Sequence, residues 1–197
     1  MLQKFKITAI LQYFTILLFF TYCAFSFAST NEKPNNELRQ LLLKAVSESD
    51  SFNDRYDAEV WLLDMSTRLE PKVKDAKKRL DLLKSIHYEA KRAKLSPQIV
   101  LALIQVESNF DKFAISTAGA RGLMQIMPFW LKEIGRHDDN LFDVRTNLRF
   151  GCTILRYYLD KEKGNITRAL ARYNGSLGSY RYTTKVFRAL DNRWALR

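Results

Sequence analysis

Glu107 is the residue best placed for acid–base chemistry, because it falls on the apolar side of a helix that runs into a polar, glycine-rich loop. Ser96 can cap that helix, Pro97 suits its first turn, and Ile99, Leu103, Val106 and Phe110 recur at helical spacing as a core stripe. Glu107 lies four residues after Leu103 and three after Ile104, so it projects from apolar surroundings near the helix end. Partial desolvation there raises a carboxyl pKa and favours the protonated form, which can donate a proton. The competing account is a tolerated or salt-bridged glutamate at the edge of the stripe, since structural ion pairs also perturb pKa values. Ser108 follows the acid directly, and the next loop holds Ser116, Gly122, Met124, Gln125 and Met127. Gly122 would permit a close backbone approach or merely a turn, and Met124 and Met127 would form an apolar wall or fill a core. Further on, Tyr173 shares an inward stripe with Ile166 and Leu170, and its polar tip could hydrogen-bond Glu107 and orient it. Asn174 would bind a ligand or end that helix.

Positioning residues so far apart in sequence requires several helices, and the pattern is helical throughout, with no strand-like alternation. Short amphipathic helices are expected over Leu38 to Val46 and Asp54 to Leu69, the second interrupted at Pro71, and a charged helix over Lys72 to Lys94. Beyond the glycine-rich loop, helices are expected over Phe129 to Ile134, Asn147 to Leu159, Ile166 to Tyr173 and Tyr182 to Arg193. The fold class is therefore all-α, with loops between helices building a substrate cleft and an N-terminal helical extension packed on the catalytic part or projecting from it. Asp111 and Asp143 are the carboxylates nearest the candidate site in sequence, and both suit turn or helix caps better than catalysis.

Three ordered blocks carry a family resemblance: Glu107-Ser108, then Gly122-Leu123-Met124-Gln125, then Ala171-Arg172-Tyr173-Asn174-Gly175. Together they resemble the lytic transglycosylase domain of the soluble slt type, a relative of goose-type lysozyme, from about Ile86 to about Tyr182. The resemblance implies a lysozyme-like fold and an enzyme that cleaves the β-1,4 bond between N-acetylmuramic acid and N-acetylglucosamine in peptidoglycan. It implies a single Glu107 acting first as acid and then as base, while the substrate's acetamido group supports the positive C1 and a 1,6-anhydro product forms. A lone acid does not suit an ordinary glycosidase, which uses two carboxylates, yet it fits this chemistry. The resemblance further implies that Ser116 bonds the acetamido group, that Gln125 contacts sugar hydroxyls, and that Ser108, Gly122, Met124, Met127, Tyr173 and Asn174 complete the substrate site. Arg172 departs from the family, which carries a small residue there. A hydrolytic muramidase using the same acid, and a non-catalytic wall-binding or assembly scaffold, are the alternatives.

Lys4 and Lys6 precede an apolar run from Ile7 through Phe20 and small residues around Ala28, the pattern of a signal peptide cleaved after Ala28. An uncleaved membrane anchor is the alternative. The expected divisions are a signal peptide over 1–28, a helical extension over 29–85, the catalytic domain over 86–182 and a basic C-terminal helix over 183–197. Cleavage removes two lysines and no acid, so the formal charge of +11 falls to +9. Such a charge favours anionic partners, which after export to a periplasm would be cell wall, lipid headgroups at a peripheral membrane contact or a phosphorylated polymer, rather than nucleic acid. Peptidoglycan strands are the expected partner, with a wall-spanning machine as a further one. The protein is expected to be a monomer. Cys152 sits on a helix face with Leu148 and Leu155 and suits a small buried hydrophobe. With His87 and His137 as the two histidines, neither a metal nor a cofactor is expected.

Overall fold

The computed structural model describes residues 55–196, so the expected signal peptide, the leader around Pro34 and the helix over Leu38 to Val46 lie outside the described residues. The described chain is all-α. In order it forms α1 (Arg55–Leu69), α2 (Ala76–Arg92), α3 (Pro97–Glu107), α4 (Phe129–Ile134), α5 (Val144–Lys161), α6 (Ile166–Tyr173) and α7 (Arg181–Ala189). A π-helical turn, Leu190–Trp194, continues α7. Among the described residues there is no strand, and two isolated antiparallel bridges, Ile115 with Arg121 and Arg121 with Ile126, tie the loop after α3 into a tight knot.

Short polar side chains start several helices. Asp75 accepts from the Lys78 amide at 2.8 Å, Asp143 from Thr146 at 2.8 Å and Asn165 from Arg168 at 3.0 Å, each satisfying an amide that the first helical turn leaves unbonded. Ser96 occupies the same position before α3 but donates to Gln98 Oε1 at 2.7 Å and makes no cap bond, while Pro97 stands in the first turn as expected.

α3 is the hub. Val100, Leu101, Ala102, Leu103 and Ile104 are all fully buried, so the helix is covered nearly all round, whereas Ile99 and Val106 of the expected stripe are only partly covered. Burying one such aliphatic side chain stabilises the fold by about 1.5–3 kcal/mol. The cover comes from α2 on one side and from α7 with the π-helical turn on another, and Trp194 Nε1 donates to Gln105 Oε1 at 2.8 Å. α5 packs on α6 and on α2. Between α2 and α5 the buried Glu89 accepts from Arg92 at 2.6 Å and from Arg149 at 3.3 Å, and Arg92 also donates to Thr153 Oγ1 at 2.7 Å. Burying a carboxylate in its charged form costs heavily unless it is paired in this way. α1 lies against α2 and the π-helical turn, with Arg68 donating to the carbonyls of Arg193 at 2.7 Å and Ala195 at 2.8 Å. Two helices cross expected divisions of the chain: α2 runs through 85 and α7 through 182.

Candidate active site

Glu107 is the last residue of α3, and the chain turns away sharply behind it. Asn109 and Phe110 both take left-handed backbone angles, φ 52° and 70°. Non-glycine residues pay for that conformation, and Phe110 is held in it by burial against Trp194, ring centroids 5.5 Å apart. Ser108 Oγ donates to the Leu123 carbonyl at 2.8 Å and the Ile104 carbonyl at 3.2 Å, so its hydroxyl ties the end of α3 to the loop and is spent on backbone.

The Glu107 carboxyl is partly covered and accepts a hydrogen bond from the hydroxyl of Tyr182. Burial pushes its pKa up from 4.5 to about 7, and the Tyr182 bond, which favours the anion, offsets part of that rise. A group poised there can give up a proton and recover it near neutral pH. The expected partner was Tyr173, and that expectation is corrected: Tyr173 donates to the Met124 carbonyl at 2.7 Å and holds the loop instead. Both phenols lie well above their ordinary pKa because they are desolvated and face the Glu107 charge, so both stay protonated donors. The signal for Tyr182 lay in its own stripe, since Tyr182, Thr183, Val186 and Ala189 are the buried residues of α7.

The loop from Asp111 to Pro128 is built from its own polar groups. Ser116 Oγ accepts from the Ala120 amide at 3.0 Å, which leaves its hydroxyl proton for another acceptor. Gln125, at φ 50°, donates its side-chain amide to the carbonyls of Gly122 at 2.9 Å and Ala114 at 3.2 Å. Gly122 is required by two things at once: its φ is +76°, and a Cβ there would stand 2.3 Å from Asn147 Nδ2 and 2.5 Å from the Leu141 carbonyl. The close approach that glycine permits is thus to Asn147. That asparagine was not singled out in the sequence, yet it locks the loop, donating to Arg121 at 2.9 Å and Leu141 at 2.8 Å and accepting from the Met124 amide at 2.8 Å.

Met124 as a wall against a sugar face is also corrected. Its side chain is fully buried, and its sulfur fills the space that Gly151 leaves on α5, where a Cβ would come within 2.3 Å. Met127 is half-buried against the core, and Asn174 is exposed and ends α6, its amide bonded back to the Leu170 carbonyl at 3.1 Å. Of the aromatics that could stack on sugars, Trp130, Tyr157 and Tyr182 are buried, Phe129 and Tyr158 partly so, and Tyr180 is 74% exposed. Arg172 donates to Glu162, as does Arg168. Asp111 accepts from the Phe113 amide at 2.8 Å and Asp143 caps α5, so both carboxylates serve turns. Cys152 is fully buried and its thiol pKa is pushed far up by desolvation, which makes it inert packing.

A helical domain that half-buries a carboxylate against a tyrosine beside a knotted Gly-Leu-Met-Gln loop defines a class, and the sequence profile described as "Transglycosylase SLT domain" matches residues 84–193. The chain belongs to that family. It is similar to a protein named "Transglycosylase" from Enterobacteria phage PRD1, 34% identical over 91 residues that make up 46% of this chain and 33% of the phage protein. It is also similar to "Membrane-bound lytic murein transglycosylase F" from Desulfosudis oleivorans, 35% identical over 106 residues, 49% of this chain and 23% of that one. The chain thus spans a third or less of the length of these relatives. Among solved structures it is similar to the lytic transglycosylase Slt from Pseudomonas aeruginosa, with 29% identity, a TM-score of 0.44, and coverage of 50% of this chain and 17% of that chain.

Proposed function

We propose that this chain is an exported murein lytic transglycosylase that cuts the β-1,4 bond between N-acetylmuramic acid and N-acetylglucosamine without adding water. The observation that carries the reading is the state of Glu107: one carboxylate with a pKa raised to about 7, held by Tyr182, while Asp111 and Asp143 are committed to turns. Protonated Glu107 gives its proton to the leaving glycosidic oxygen as the C1–O bond breaks. The acetamido oxygen of the same muramic acid supports the positive C1, with Ser116 donating its free hydroxyl proton to that group. Glu107, now anionic and stabilised by Tyr182, takes the proton of the C6 hydroxyl as O6 closes on C1. The proton returns to Glu107 and the product carries a 1,6-anhydro end. Membership of the family and the likeness to a relative named as a lytic murein transglycosylase support the substrate class. Export through a cleaved signal peptide ending at 28, a periplasmic site of action, a monomeric state and a helical extension ahead of the catalytic unit belong to the same proposal, with the catalytic unit extended past 182 through α7 because that helix carries Tyr182.

Digestion of purified peptidoglycan followed by mass measurement of the muropeptides tests this. Products ending in anhydromuramic acid, lighter by one water than hydrolytic ones, are expected. Reducing ends would instead mark a hydrolase, equal release by Glu107→Gln would remove Glu107 from the chemistry, and no release by the wild type would favour a non-catalytic scaffold.

A further inference from the structure

The outer face of α7 is cationic, and the helix carries no acid at all. Several cations elsewhere are matched to acids a turn away or across a loop, as Arg68 is with Asp64, Lys77 with Asp81, Arg156 with Asp160, and Arg168 and Arg172 with Glu162, and exposed cations without an ion pair, such as Lys78 and Lys84 on α2, share their helix with acids. On α7 the exposed residues are Arg181, Thr184, Lys185 and Arg188, a stripe at helical spacing that contains no acid. None of the three cations makes an ion pair among the described residues, and Asp191, in the π-helical turn, is the first acid beyond them. Arg181 also stands in the first turn, where the helix dipole disfavours a positive charge, and no acid accompanies it. The stripe begins with two exposed apolar side chains. Tyr180, whose backbone is already helical, is 74% exposed, and Leu177 before it is 44% exposed.

We propose that this face docks on an anionic phospholipid surface, with Arg181, Lys185 and Arg188 against the headgroups and Tyr180 and Leu177 at the interface. Three unpaired cations spaced over about 10 Å of helix meet an extended negative surface at several points at once. An amphipathic tyrosine suits the boundary between headgroups and acyl chains. The carboxylates of peptide stems on a bound glycan are a poorer match, because Tyr182, on the inward side of the same helix, faces Glu107 and the cations lie on the other side. Docking here leaves the catalytic side of α7 turned toward the rest of the domain. The proposal stands on charge and exposure rather than on the reaction, so it can fail while the transglycosylase reading holds, and the reverse.

The test is partitioning of the full chain onto mixed phosphatidylglycerol–phosphatidylcholine vesicles and onto pure phosphatidylcholine vesicles, measured by sedimentation across a salt series. The apolar stretch over residues 7–20 would hold both kinds of vesicle alike, so the α7 contribution is the part that depends on headgroup charge and falls with salt. Arg181→Gln/Lys185→Gln/Arg188→Gln should weaken binding to the anionic vesicles by about fivefold for each charge, about a hundredfold together. A matched loss of charge at Lys72, Lys78 and Lys84 should weaken it far less, and Arg181→Lys/Arg188→Lys should keep it. Helical circular dichroism shows whether the triple variant folds; if it does not, the lysine variant and the salt series on the wild type decide. Equal losses from the two triple variants, salt-insensitive binding, or failure of the lysine variant would overturn the proposal. So would a triple variant that keeps its grip on vesicles but loses purified peptidoglycan, which would assign the stripe to stem carboxylates.

Discussion

Glu107 shows what one residue's surroundings can and cannot be read from sequence. Its place at an apolar helix end was legible, because Leu103 and Ile104 precede it at helical spacing, and desolvation does raise its pKa as that spacing implies. Its partner was not. Tyr173 and Tyr182 both sit on inward stripes with a polar tip, and only the packing of α7 on α3 decides which hydroxyl arrives. The raised pKa has a signed consequence for stability. The folded state resists ionising this group, so stability is complete below about pH 4.5 and declines as pH rises through about 7. Glu107→Gln should therefore melt higher than wild type at pH 8, by an amount on the order of 2–3 kcal/mol, and show no advantage at pH 4, while losing roughly 10²- to 10⁴-fold in turnover. Melting curves at the two pH values check the first part and muropeptide release the second. Wild-type activity should fall above about pH 7 as the acid form is lost. Tyr182→Phe removes the bond that favours the anion, so this alkaline limb should move to higher pH while the maximal rate drops; an unmoved limb would dismiss that role.

The loop between α3 and α4 is an element without regular structure that is held as firmly as a helix. Gly122 and Gln125 were both picked out by their family spacing, but the fastening depends on Asn147, a residue that looks in sequence like an ordinary helix position. An asparagine's three bonds to backbone 6 to 26 residues away leave no periodic trace. Met124 was misjudged for a related reason: the hole it fills is made by Gly151 on a different helix. Gly122→Ala would face both an unfavourable φ and a clash with backbone, and should destabilise by about 2–4 kcal/mol. Asn147→Ala, which strands buried loop groups, should cost about 2–5 kcal/mol. Both should lower activity through the loop, and denaturant titrations give the magnitudes. A Gly122→Ala protein as stable as wild type would contradict the geometry.

At the scale of the molecule, the all-helical class followed directly from the sequence, since the 3.6-residue stripes of α2, α5 and α6 belong to sequence alone. What the sequence did not convey is that the C-terminal segment is structural to the site. A last basic helix that closes the domain was expected, but nothing in its residues pointed to the site, whereas Trp194 is fully buried, braces Phe110 and bonds Gln105 on α3. Trp194→Ala should cost about 3–5 kcal/mol, and thermal unfolding would measure it. Because Phe110 holds the turn behind Glu107, the residual activity should fall further than the loss of folded protein explains.

The bond from Tyr182 to Glu107 spans 75 positions, and that of Trp194 to Gln105 spans 89. During synthesis the carboxylate leaves the ribosome well before the groups that strip its water and tune its proton affinity. A half-made chain carries an ordinary solution carboxylate, with the acidity of any surface glutamate. The protonation state at neutral pH on which the proposed chemistry depends arises only when the late helix closes over the early one, so the site becomes competent only once both ends of the described chain have folded together.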